Sequence, residues 1–389
     1  MRFRSQPWST ARSRLLLQLL ITWIYMSRPA ESFAQADPQA PRTFVATQGW
    51  VCAISPREEL YCKLLGRGEG KPPNGLQSDL PTFERVAGLP AVTEVDERGK
   101  YICALGKRGE VQCWGCPNEH DCSLWPGPIA LPEPAQHIAV SVSGACALLH
   151  SGIVQCWGVD EPNSSRQREP RWYEKPAPVP LTGSVKQVSA LGRGYCALHG
   201  GGSISCWAPG VPPVRIEAVT HATALATGLS FGCAIADPQR SVQCWGFDEA
   251  SLRRAEENPS AATPVLQPTT KIAGLQQVVQ LAAGNLFAVA LTQDGSAYHF
   301  GLYHEPGLRQ FGHAAANAGS VDERKRVRID LNPFKLALPQ KARSAIVGNH
   351  FACFDLESGQ RMCERALART RPFDMREVWN DVRFEPRSP

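Results

Sequence analysis

The sequence predicts an all-β chain, a seven-bladed β-propeller with a disulfide hairpin in most blades, and three observations carry that expectation. A short hairpin pattern returns seven times along the 389 residues. In six of the copies it holds two cysteines, ten residues apart in every case but one. Further short extended segments flank each copy, with no amphipathic helical stretch between them. Units of this kind cannot bury their apolar face alone, so they stack.

The chain opens with the pattern of an export signal: Arg2, Arg4, Arg12 and Arg14, then the apolar run Leu15 to Met26, then Ala34-Gln35-Ala36 as a small-residue cleavage site. An apolar run of that length is short of the roughly 18 to 20 residues that cross a bilayer. No stable membrane span is expected after cleavage, and residues 37–42 read as a short linker. The signal holds five arginines and one glutamate, so of the formal charge of +5 only about +1 belongs to the rest of the chain. A near-neutral domain lacks the footprint of nucleic-acid binding. The local basic run Arg324-Lys325-Arg326-Val327-Arg328 reads as a solvated loop.

The repeats occupy residues 43–366. Their hairpins run Cys52 to Cys62, Cys103 to Cys113, Cys146 to Cys156, Cys196 to Cys206, Cys233 to Cys244, Val289 to His299, and Cys353 to Cys363. A ten-residue separation places the two cysteines opposite each other in a hairpin closed by a three-residue loop. Such a loop ends in a left-handed residue, which favours Gly at its third position. Gly109, Gly152, Gly202, Gly295 and Gly359 stand there. In the fifth copy the spacing is eleven, and the same register leaves the four-residue loop Asp237-Pro238-Gln239-Arg240.

The sixth copy loses both cysteine positions together, as Val289 and His299, which is expected when each pair is one cross-strand disulfide. Metal ligands spread one hairpin per repeat would not converge on an ion. An additional pair, Cys116 and Cys122, lies outside the repeat in Cys-Pro-Asn-Glu-His-Asp-Cys. With Cys113 and His120 it could be drawn as a zinc site; Cys113 has a partner in Cys103, so a local disulfide loop is favoured. All 14 cysteines are thus assigned to pairs, as befits an oxidising compartment.

Four short strands per repeat, at an average pitch of about fifty residues, match propeller blades. In the sixth copy two strands are expected ahead of the hairpin, in Gln277 to Gly284 and in Thr263 to Leu266. Trp114, Trp157, Trp207 and Trp245, with Phe300 in the sixth copy, follow the second cysteine position, and their regular recurrence fits packing between blades. Residues 367–389 form a C-terminal tail, available for ring closure.

The order of an apolar strand, then Cys-Ala-Leu, then Gly-x-Val-x-Cys-Trp-Gly resembles the repeat of the regulator of chromosome condensation (RCC1-like) family, in its exported cysteine-rich bacterial form. The family's glycine-rich stretch after Trp-Gly survives chiefly as Gly307-Leu308-Arg309-Gln310-Phe311-Gly312. The resemblance implies the propeller and its use as a rigid platform for protein contacts. The nucleotide exchange and chromatin binding of the family's eukaryotic founder do not carry over to an exported, nearly neutral chain.

No catalytic constellation stands out: the nine histidines are scattered, and neither HExxH, Gly-x-Ser-x-Gly nor a phosphate loop occurs. No cofactor, metal or nucleic acid is expected. Function is sought in what varies between repeats, the long connections Val159 to Ala177, Phe247 to Pro268 and Leu302 to Arg328. Arg171, Trp172, Tyr173, Tyr303, His304, Arg309 and Phe311 supply the aromatic and Arg content of a contact surface. The expectation is a secreted, periplasmic or cell-surface binding platform for a protein or a cell-envelope component. The alternative is a polysaccharide hydrolase or lyase with converging carboxylates in the propeller channel.

Overall fold

Among the described residues every strand pairs antiparallel, most often with the strand next to it in sequence. The computed structural model describes residues 43–46, 50–64, 84–98, 101–118, 121–124, 128–142, 144–160, 171–172, 175–208, 211–247, 250, 269–304, 327–348, 351–365 and 373–374. Residues Met1–Ala36 are a separate unit, and the expected signal lies outside the described residues, as does the linker.

The strands form a β-propeller. Six sheets are four-stranded; the third has five strands, because Arg171–Trp172 and Ala177–Pro178 both pair with its third strand. The uniform set of seven four-stranded blades is corrected to six of that kind, and the long connection of the third repeat is the reason: it returns to the sheet edge twice. Within a sheet the order is inner strand, two hairpin strands, outer strand. The strand expected in Thr263 to Leu266 lies outside the described residues; Thr269–Lys271 follows the fifth hairpin as the outer strand of sheet 5.

The inner strands are Thr43–Ala46, Val92–Arg98, Ala135–Ser141, Val185–Leu191, Ala224–Thr227, Val278–Ala283 and Ala342–Val347, in sheets 1 to 7. Each lies against the next, and the last lies against the first. All strands of sheet 1 come from the start of this region and all strands of sheet 7 from its end, including Phe373–Asp374 from the tail, paired with Arg361–Arg365. The described part of the tail completes the last sheet.

The hairpin register is the expected one: Cys52, Cys103, Cys146, Cys196, Cys233 and Cys353 stand across from Cys62, Cys113, Cys156, Cys206, Cys244 and Cys363. The first five pairs are disulfides with Cα atoms 4.0–4.1 Å apart, and Cys353 is also disulfide-bonded. That close approach follows from the ladder. The Gly106 amide donates to the Glu110 carbonyl at 2.8 Å, and alternation from there makes Cys103 and Cys113 a non-hydrogen-bonded pair, the kind with the shorter Cα separation. Closing a ring of about ten residues limits the unfolded chain by roughly 2 to 3 kcal/mol. The register Trp114↔Leu124, Gly115↔Ser123 runs toward Cys116 and Cys122; the side chains of that pair lie outside the described residues.

Each apolar cluster belongs to two consecutive sheets. Trp157 packs with Cys103 and Cys113 of the sheet before it, Trp207 with Cys146, Trp245 with Cys196 and Cys206, and Phe300 with Cys233 and Cys244. The expected inter-blade role of these aromatics holds wherever the side chain is described; that of Trp114 is not. Trp245 is fully buried, and Gly232 opposite it leaves the room, since a Cβ there would stand 2.2 Å from the indole.

Candidate binding face

An antiparallel meander sends alternate connections to opposite ends of a sheet, which gives this ring two unlike faces. One face receives the turns between the second and third strands and the links from each outer strand to the next sheet. These turns are short. Gly109, Gly152, Gly202, Gly295 and Gly359 all have positive φ, 80° to 85°, as the spacing requires. Glu58 takes the position in sheet 1 at φ 65°, and the longer fifth loop has Asp237 at 65° and Arg240 at 53°.

The turn carbonyls also join sheets. Glu58, Gly109, Gly202, Arg240 and Gly295 accept from the amides of Val92, Ala135, Ala222, Val278 and Ala342, the first residues of the following inner segments, at 2.7–3.1 Å. Backbone groups committed in this way hold the hairpin face in one arrangement.

The opposite face receives the turns from inner to second strand and every connection from third to outer strand. It is there that the sequence inserts residues 65–83, 161–170, 246–268 and 305–326, against two-residue links at 119–120 and 209–210. Strand pairing runs further into these segments than the sequence reading placed it. Val159 and Asp160 pair with Trp172 and Arg171, and Tyr303 and His304 with Arg328 and Val327.

Four of the seven candidate residues are thereby placed. Arg171 and Trp172 lie on an outer strand of sheet 3, and Tyr303 and His304 at the end of the third strand of sheet 6, all toward the insertion face. The two groups are separated around the ring by sheets 4 and 5, so the backbone does not bring them into one patch. Tyr173, Arg309 and Phe311 lie outside the described residues, as do the side chains of the other four.

Sequence reasoning missed the polar inner ring. At one register position of the inner strands of sheets 2, 3, 4 and 6 a side chain reaches to the next sheet. Gln187 donates to the Leu225 carbonyl at 2.8 Å and accepts from its amide at 3.2 Å; Gln280 does the same with Ala345, at 2.7 and 2.8 Å. In sheet 3 the position is His137, whose Nε2 meets the Val188 carbonyl at 2.9 Å and whose Nδ1 meets Glu94 Oε1 of sheet 2 at 2.7 Å. Two residues on, Asp96 accepts the Val140 amide at 2.6 Å and the Glu97 amide at 2.9 Å.

Burial pushes the Asp96 carboxyl up to about 6, against the Val140 amide and the Arg98 charge, which favour its ionised form. Burial lowers the Arg98 guanidinium from its ordinary value. It raises the Tyr195 hydroxyl, which accepts from Ser141 Oγ at 2.8 Å. The signal for this cluster was present as Glu94, Asp96, Glu97 and Arg98 in one strand where other repeats carry Gln, Ser and Ala. Glu94 and Asp96 are engaged in bonds to sheet 3. Among the described residues no group of three His, Cys, Asp or Glu is placed to hold a metal ion, and no helix is long and apolar enough to cross a membrane.

No family model matches the chain, and no curated protein does. Solved structures match well. Prp20p from Saccharomyces cerevisiae, described with its binding properties to Gsp1p and histones, aligns over 85% of each chain with a TM-score of 0.57 and 17% identity. Yeast RCC1 (Prp20) bound to Kap60 aligns over 74% of this chain and 73% of its own, with a TM-score of 0.54 and 19% identity. Human WBSCR16 gives 0.54 at 14% identity, over 77% and 85%. At such identities the likeness is one of architecture, and the architecture of this chain is an RCC1-like β-propeller.

Proposed function

We propose that the chain is an exported, non-catalytic binding platform, a seven-bladed ring whose insertion face contacts a protein or a cell-envelope component. The observation that carries this reading is the asymmetry of the two faces. The hairpin face has short turns and links of at most ten residues, while the three longest connections, 65–83, 246–268 and 305–326, are inserted on the other, and loops on a rigid scaffold are where recognition residues concentrate. The candidate contacts are Arg171, Trp172, Tyr173, Tyr303, His304, Arg309 and Phe311. The disulfides support an oxidising compartment, secreted, periplasmic or at the cell surface, in keeping with the export pattern of the first 36 residues. Protein contacts by the RCC1 (Prp20) structures, with Kap60, Gsp1p and histones, support a protein partner. A glycosidase in the channel would need two carboxylates open to substrate; Glu94 and Asp96, on an inner strand, are spent on His137 and on backbone amides.

The test is capture of envelope components by the oxidised chain, compared between two variants. Replacing Trp172, Tyr173, Tyr303 and Phe311 with Ala on the insertion face is expected to abolish capture with melting nearly unchanged, because aromatic anchors can each carry about 2 kcal/mol or more of binding. Ile153→Ala, half-exposed on the hairpin face, is expected to retain it. Loss of capture by the second variant alone would move the site to the other face.

A further inference from the structure

Position for position, His137 does the work that Gln187 and Gln280 do at other seams, with one chemical difference. An amide side chain donates and accepts at once and does not titrate. The His137 ring stands between two pure acceptors, the Glu94 carboxylate at 2.7 Å and the Val188 carbonyl at 2.9 Å. A neutral imidazole has one N–H and can satisfy only one of them; the imidazolium satisfies both. We propose that the seam joining sheets 2, 3 and 4 is a protonation-gated clasp, closed while His137 carries two N–H groups and released on one side when it loses a proton.

The surroundings fit that role. The inner strand of sheet 2 turns Glu94, Asp96 and Arg98, alternate residues of one face, toward the seam, and the second strand of sheet 4 adds Tyr195. The inner strand of sheet 4 offers the Val188 carbonyl, and its Lys186 is exposed. Burial works against the charged ring, yet the Glu94 hydrogen bond and the charges of Glu94 and Asp96 outweigh it, so the His137 pKa lies above the ordinary 6.5.

Both titrating groups act in the same direction. Asp96 and His137 each hold a proton more readily in the folded chain than in the unfolded one. The contribution of each is complete below its unfolded value, 3.8 for Asp96 and 6.5 for His137, and is lost as pH rises through the folded value. The clasp itself follows His137: the ionised Asp96 favours the imidazolium, and release comes as pH rises through the raised His137 pKa.

Hydrogen–deuterium exchange on the oxidised full chain between about pH 6 and 9, with rates normalised to unstructured peptides, tests this against an internal control. Residues 135–141 are expected to lose protection with rising pH, by about tenfold per unit once His137 titrates. Residues 342–347, clasped by Gln280, are expected to stay level. His137→Gln puts an amide at the same position and is expected to flatten the profile of 135–141. Parallel profiles at the two seams, or an unchanged slope in His137→Gln, would overturn the proposal. Ring nitrogen shifts in the native chain decide independently of any variant: two N–H groups on His137 at pH 6.5 support it, and a neutral ring there overturns it.

Discussion

Val289 and His299 stand directly opposite each other in sheet 6, at the two positions that hold a disulfide in the other sheets. Both are buried, and the His299 ring lies between Phe287 and Phe334, stacked at 5.1 and 5.0 Å. A covalent link has been replaced by an aromatic sandwich that crosses from the second to the outer strand.

The register makes this replacement reversible. Val289→Cys with His299→Cys is expected to oxidise to an additional disulfide, seen as no gain in free thiol on titration of the unfolded, unreduced chain. The chain-entropy gain of roughly 2 to 3 kcal/mol is offset by the lost stacking, so the net rise in stability is expected to be smaller than that.

Trp245→Ala removes a fully buried ring that sits on the Cys196–Cys206 disulfide of the preceding sheet. A loss of about 3 to 5 kcal/mol is expected in chemical denaturation. Val214→Ala, on the exposed edge of sheet 4, is expected to stay within about 0.5 kcal/mol.

Two turn glycines with the same backbone separate strain from contact. Gly295 and Gly359 have φ of 80° and 82°, but a Cβ at Gly295 would stand 2.7 Å from Lys341 Cβ, while one at Gly359 meets nothing within 4 Å. Gly359→Ala is expected to cost about 1 to 2 kcal/mol, the left-handed penalty alone. Gly295→Ala is expected to cost more, and melting of the two variants side by side checks the order.

The loop of sheet 5 is acid-sensitive. Slight burial pushes the Asp237 carboxyl up, but the Ser241 hydroxyl and amide and the Lys271 ammonium outweigh it and hold it at about 2. A depressed pKa contributes stability that is present above 3.8 and is lost as pH falls through about 2. Amides of residues 237–241 are expected to exchange faster below pH 4 relative to peptide references, and Asp237→Asn to remove the change.

Much of this architecture was legible because the cysteine spacing fixes a hairpin register, and register fixes which residues share a face. Gly109 and its counterparts told the turn type, and Trp157, Trp207 and Trp245 told the packing between sheets. The extra strand of sheet 3 was not legible: Arg171–Trp172 and Ala177–Pro178 are too short to carry a period, and their pairing is set by where the chain returns. The inner ring was hidden for a different reason. Glu94, His137 and Val188 lie far apart in sequence and meet only because the sheets close on one another, so their relation belongs to the circuit and not to any one repeat. The candidate contacts were chosen for residue type, and the backbone placed four of them on one face but on separated sheets.

Among the described residues no strand is exchanged between the first sheet and the last, so each sheet is written in one stretch of chain. A tandem duplication of such a stretch delivers a complete structural unit with its own disulfide, its own turn and an edge that fits the next. The same contiguity means that opening the chain at a link on the hairpin face would leave the strand pairing inside each sheet intact.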